Sequence, residues 1–127
     1  MEKEFVPYEL AVKLKALDYP QDDYFSWYNG NGKLQWDFEY DEEDFSKSCC
    51  SAPLFQQTFR WFREKYHIHG EPFYKGGLTK QTSWYDYKIY STIDWINTNP
   101  KQQWKTYEEA EIACLDRLIE IVESKSE

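Results

Sequence analysis

Apolar and polar positions follow several different rhythms along the chain, and each rhythm predicts an element. The strongest comes last. Between Thr106 and Val122, Tyr107, Ala110, Ala113, Cys114, Leu118 and Ile121 recur at helical spacing, with Ile112, Leu115, Ile119 and Val122 beside them. At about 100° per residue they cover more than half of a helix circumference, and Glu109, Asp116, Glu120 and Glu123 form a narrow polar strip. Thr106 and Glu109 stand at capping-box spacing. The hydroxyl can accept the N–H three residues on, and the acid can reach back to the Thr N–H. So apolar a helix is expected to be covered on most sides, with the other elements docking on it.

A strict period of two marks Lys33–Tyr40, where Leu34, Trp36, Phe38 and Tyr40 alternate with Lys33, Gln35, Asp37 and Glu39. Asn29-Gly30-Asn31-Gly32 joins it to a preceding strand, Tyr24–Tyr28, as a tight hairpin, because Asn and Gly tolerate positive φ. Pro7 to Leu17 reads as a first helix, with Leu10, Ala11, Leu14 and Leu17 on one face and Pro20 stopping it near Asp18. A second helix runs from about Pro53 to Tyr66 behind Ser51 as cap. Its Phe55, Phe59, Phe62 and Tyr66 form one aromatic stripe, read as core.

Beyond that helix a short strand through Phe73 and Tyr74 is expected, then a longer one, Trp84–Thr92. In the longer strand Tyr85, Tyr87 and Ile89 face inward, Asp86 and Lys88 face outward, and Trp84 and Tyr90 lie on the outer face. Residues 94–105 are broken by Asn97-Thr98-Asn99-Pro100 and read mostly as loop with room for edge pairing. The order αββαββα predicts a single α+β domain over residues 1–127. Its two layers are an antiparallel sheet of about four strands and helices on one face.

Composition sharpens this picture in one respect. Aromatic residues make up 20% of the 127 positions, which suits both half-buried sheets and binding surfaces. Net charge is −8, yet residues 49–105 are net +4 between two acidic ends. The acidic whole argues against a general nucleic-acid or anionic-membrane binder. In the basic middle, Arg60, Trp61, Arg63 and Lys65, then Lys75, Lys80, Trp84 and Lys88, could stack and pair with single-stranded nucleic acid. The aromatics alternate as core residues do, however, and no RNP-type motif occurs, so that reading ranks lower. Cys49, Cys50 and Cys114 are odd in number, two are adjacent, and they make no disulfide framework. With no signal-peptide pattern at the start and no apolar run of membrane-spanning length, a cytoplasmic setting is expected.

Three blocks also resemble a group of small uncharacterised proteins of the kind carried by gut bacteria and their phages. They are Phe5-x-Pro7-Tyr8-Glu9-Leu10-Ala11-x-Lys13-Leu14-Lys15, Phe59–Tyr66 and Thr106–Glu111. The resemblance implies an accessory or mobile-element gene in a cytoplasmic setting, and brings no activity, cofactor or catalytic residue. Asp18-Tyr19-Pro20 stands where a Gly-containing turn would be expected after the first helix.

Candidate chemistry is sparse. His67-x-His69-x-Glu71 on an extended segment would project three ligands to one side, a set suited to Zn²⁺ and a hydrolytic water. Against it, a His after a helix is often a C-terminal cap, and Gly70 and Pro72 can bend the segment. The acidic run Asp41–Asp44 lacks the calcium-loop pattern and reads as solvated loop. No nucleophile elbow, P-loop or dinucleotide fingerprint is present, and no cofactor is implied. Glu111 falls inside the apolar arc of the last helix. It is either a half-exposed first-turn acid helped by the helix dipole or a buried acid needing a Tyr, Trp or Arg partner. The expectation is a non-catalytic interaction protein that binds another protein through Trp84, Tyr90 and Trp95. A metal-dependent hydrolase using His67, His69 and Glu71 is the alternative.

Overall fold

The computed structural model describes residues 2–21, 26–35, 48–77, 79, 83–91 and 96–125. Its contacts cluster into two units, Met1–Phe55 and Gln56–Glu127. The fold is α+β, but the strands form two antiparallel three-stranded sheets where one sheet of four was expected. Among the described residues no helix is long and apolar enough to cross a membrane. Trp36–Tyr40, the Asp41–Asp44 run and Trp95 lie outside the described residues.

In the first unit a 3-10 turn, Glu2–Glu4, precedes helix α1, Tyr8–Ala16, which buries Leu10, Ala11 and Leu14. Pro7 caps the helix without entering it, and its carbonyl accepts the N–H groups of Leu10 and Ala11. At the other end Asp18 adopts φ +66°, the left-handed position a Gly would ordinarily fill. The Tyr19 N–H returns to the Leu14 carbonyl and the Asp18 N–H to the Lys15 carbonyl, both at 3.0 Å. That bond pair is a Schellman motif, so Asp18 makes the helix-terminating turn without a Gly.

Strands β1 (Trp27–Asn29) and β2 (Leu34–Gln35) form the expected hairpin. The Asn29 carboxamide oxygen accepts the N–H groups of both Asn31 and Lys33, and Gly32 takes φ +79°. A Cβ on Gly32 would stand only 3.2 Å from the Tyr8 ring, so the turn also lets α1 approach. Strand β3, Ser48–Ser51, pairs with the other side of β1 and gives the order β2-β1-β3. This strand was not expected. Its Ser and Cys residues carry no apolar alternation, and Ser51, read as a helix cap, is instead paired with Trp27. The Ser51 N–H donates to the Gln21 side chain at 2.7 Å.

Helix α2, Phe55–Tyr66, opens two residues later than expected. Phe55, Phe59 and Phe62 are buried, as the stripe requires. It ends at His67, which takes φ +59°. In the second unit β4 (His69–Gly76), β5 (Ser83–Ser91) and β6 (Ile96–Thr98) form a sheet in that order. Pro72 lies in β4, an edge strand, where a missing N–H costs least. Beyond β6, after Pro100 and the left-handed Lys101, the chain returns to β5. Trp104 and Tyr85 there exchange both backbone hydrogen bonds, at 2.8 and 2.9 Å. Within the stretch read as mostly loop with room for edge pairing, the described residues pair with β5 at Ile96–Thr98 and again at Trp104, with unpaired backbone at 99–103.

Helix α3, Tyr107–Lys125, covers one face of β4 and β5. The Thr106 hydroxyl accepts the Glu109 N–H and donates to the Glu109 carboxylate, both at 3.2 Å. The carboxylate thus answers the hydroxyl and not the Thr106 N–H. Cys114, Leu115, Leu118 and Ile119 are fully buried, while Ile112, expected under cover, is exposed. The seat of the helix is Gly70. A Cβ added there would lie 2.7 Å from Leu118 Cδ1, closer than real Cβ contacts come, and 3.0 Å from Cys114 Sγ, which is tight. Because both neighbours are fully buried, neither has open space to move into.

On β5, Tyr87 and Ile89 are buried and Lys88 is exposed, as alternation predicts. Asp86 departs from it. Expected outward, it is fully buried, with Oδ1 accepting the Tyr87 N–H at 2.8 Å and Oδ2 4.0 Å from Lys75 Nζ. Binary pattern assigns a face and says nothing of what covers it.

Replacing Gly70 by Ala is expected to destabilise the protein by about 1–3 kcal/mol, the range for overpacking a filled core, measured by urea denaturation. A Thr106→Ala variant is expected to lose about 1 kcal/mol through the lost cap.

Candidate functional site

The elements α2, β4 and the first turns of α3 border an open, shallow cleft of about 650 Å³ within the second unit. Ligand clefts commonly have volumes of roughly 300–1,000 Å³. Phe59, Gly70 and Pro72 supply its apolar lining. Its polar side chains come from three directions: Gln56, Gln57, Arg60 and Arg63 on α2, Glu71 on β4, and Tyr107 and Glu111 on α3. The aromatic stripe faces one side of α2, which turns the residues flanking it toward the cleft. Gly70 brings α3 down onto β4, which places Glu111 beside that strand.

These side chains differ in how far the protein satisfies them. Arg60 Nε donates to Glu64 at 2.8 Å, and that bond and the Glu64 charge hold its pKa above the ordinary value. Glu71 stands 3.8 Å from Lys88 Nζ. Arg63 is exposed and, among the described residues, has no hydrogen bond or ion pair. Glu111 is only 9% exposed and likewise has none, although the cleft carries two guanidiniums. Of the two expectations for this acid, burial is what the structure shows, and the expected Tyr, Trp or Arg hydrogen-bond partner is missing. Burial, helped by the nearby Glu108 charge, pushes its pKa up to about 7. Burial and then the Glu111 charge raise the Tyr107 phenol as well. Burial raises the Cys114 thiol above its ordinary value.

The expected metal ligands are not assembled. His67 is exposed in its left-handed position at the end of α2. His69 begins β4 and lies flat against Tyr90, ring centroids 5.0 Å apart and 5° from parallel. Glu71 is engaged by Lys88. Among the described residues no three His, Cys, Asp or Glu side chains group as a metal site would require.

Of the expected contact aromatics, Tyr90 is exposed at 38% and backed by His69. Trp84 is half-buried, with its indole N–H out of solvent and lacking an acceptor. A different aromatic group stands exposed on the face that α3 covers, beyond the start of the helix. Tyr74, Tyr85 and Tyr107 make successive edge-to-face contacts at 5.6 and 5.9 Å. Tyr74 and Tyr107 are 54% and 42% exposed, and the Tyr74 hydroxyl is held by the Gly77 carbonyl. Alternation assigned Tyr85 to the core, and the contact with Tyr107 joins residues 22 apart, so no local signal in the sequence marks the cluster. No protein-family model, curated protein or solved structure matches the chain.

The raised Glu111 pKa makes stability depend on pH. The folded state holds this proton more tightly than the unfolded chain, whose carboxyl titrates near 4.5. The contribution favouring the fold is therefore full below about pH 4.5 and is lost as pH rises through 7. Glu111→Gln keeps the shape without the charge. It is expected to match the wild type near pH 4.5 and to be more stable by roughly 2–3 kcal/mol at pH 8, read from paired urea titrations.

Proposed function

We propose that the protein is a non-catalytic cytoplasmic binding protein that engages another protein through the surface formed by Tyr74, Tyr85 and Tyr107. The observation that carries this reading is a pair of exposed tyrosines, Tyr74 and Tyr107, each in edge-to-face contact with the half-buried Tyr85 between them. Tyrosines held by one another and by a backbone carbonyl lose little entropy when a partner covers them, and each brings a large apolar ring with a polar tip. Tyr90 on its His69 platform is a second aromatic contact on the opposite face of the hairpin. The accessory role in gut bacteria or their phages implied by the resembling blocks belongs to the same proposal. Among the described residues no three His, Cys, Asp or Glu side chains group as a metal site would require, which favours this reading over the hydrolase alternative.

The test is capture from native host lysate on the tagged protein, with nuclease-treated and untreated halves run beside a Tyr74→Ala/Tyr107→Ala variant. The expected result is a specific protein that survives nuclease and falls at least tenfold on the variant. An unchanged list on the variant, or one that collapses with nuclease, would overturn the reading.

A further inference from the structure

Two groups lining the α2–β4–α3 cleft are unanswered by the rest of the protein, and their charges are opposite. Glu111 is a residue only 9% exposed with no hydrogen-bond partner among the described residues, its carboxylate reaching solvent through the cleft it lines, and Arg63 is a guanidinium with no ion pair among them. A partly desolvated carboxylate whose hydrogen bonds come from the cleft's water alone is ready to exchange that water for a ligand's donors. The other charges of the cleft are already engaged, Arg60 by Glu64 and Glu71 by Lys88. The two free groups therefore define what is missing: a donor or cation at one end and an acceptor or anion at the other.

We propose that the cleft binds a small zwitterion of the amino-acid type, its ammonium group on Glu111 and its carboxylate on Arg63. An ammonium gives the carboxylate charged donors in place of that water. The planar guanidinium suits a carboxylate held through two parallel hydrogen bonds. Gln56, Gln57 and the Tyr107 hydroxyl add neutral hydrogen-bonding groups around the ligand, and Phe59 and Pro72 offer apolar surface to its carbon chain. A simple anion would meet Arg63 and leave Glu111 without a cation, and a simple amine would do the reverse. Binding needs both ends. Glu111 and Arg63 do not reach one another, so the ligand's charge separation must match the gap between them.

The probe is a series of ω-amino acids from glycine to 6-aminohexanoate, titrated at pH 7 into the isotopically labelled full chain and followed by amide NMR. The alkylamine and alkanoate of matching length serve as controls. One chain length is expected to bind at least tenfold more tightly than its own amine or carboxylate. Glu111→Gln and Arg63→Gln are each expected to reduce it to the level of those halves. Arg63 is exposed, so its variant folds, and unchanged amide spectra confirm this for both variants. Saturation with the tightest ligand should also lower the titration midpoint of the Glu111 carboxyl. The charges packed around that group, Glu108 on α3, Glu71 on β4 and the arginines of α2, are present in both states and leave the ligand as the only difference. The proposal is overturned if no member of the series shifts cleft resonances, if the amine or carboxylate alone binds as well, or if either variant binds undiminished. Tyr107 is shared with the tyrosine surface, but these outcomes read Glu111, Arg63 and the small-molecule series, whereas lysate capture reads a protein partner, so either reading can fail without the other.

Discussion

The second unit depends on how closely α3 can lie on the β4–β5 hairpin. That distance is set at Gly70, where the strand presents only hydrogen to Leu118 and Cys114. With the helix seated there, Leu115, Leu118 and Ile119 are fully buried, each worth roughly 2 kcal/mol of removed apolar surface. The same seating has a cost. One turn before Leu115 on the same helix Glu111 is partly withdrawn from water, and that desolvation, with the Glu108 charge, raises its proton affinity. A strand residue with a side chain at position 70 would relieve the acid only by opening the core behind it. The close packing and the raised carboxyl are two consequences of one contact.

Much of the fold was legible because local chemistry and long-range packing agree. The Thr106–Glu109 cap, the Asn29–Gly32 turn, the phenylalanine stripe of α2 and the buried Tyr87 and Ile89 of β5 are each dictated by residues a few positions apart. The elements that were missed lack such a signal. Strand β3 is made of Ser and Cys, which carry no apolar period, and it exists because β1 offers it an edge. Strand β6 is followed by a Pro that interrupts the ladder without ending it. Asp86 follows the polar half of an alternating pattern, yet its face is covered and the pattern misplaces it. Asp18 shows the converse: a non-Gly residue makes a Gly-type turn because two returning backbone hydrogen bonds define it.

The candidate site divides along the same line. Glu111 could be singled out on a helical wheel, since an acid within an apolar arc is a local contradiction that invites a reason. Its setting could not, because Arg63 and Gln56 belong to another helix and Glu71 to a strand. The tyrosine surface is assembled in the same way from β4, β5 and α3. The His67–His69–Glu71 reading assumed one extended run through all three residues. His67 is consumed in ending α2, and the extended run that would align the ligands begins only at His69. Sites built across elements leave no spacing rule in the sequence.

The most direct test of the link between the Gly70 contact and the cleft is the titration of the Glu111 carboxyl, followed by carbon NMR in the wild type and in Gly70→Ala. The seating of α3 predicts a midpoint near 7 in the wild type. In the variant, where the helix is pushed off the strand and water reaches the acid, the midpoint should fall toward the ordinary carboxylate value. A wild-type midpoint near 4.5, or one that Gly70→Ala leaves in place, would show that the contact does not control the acid.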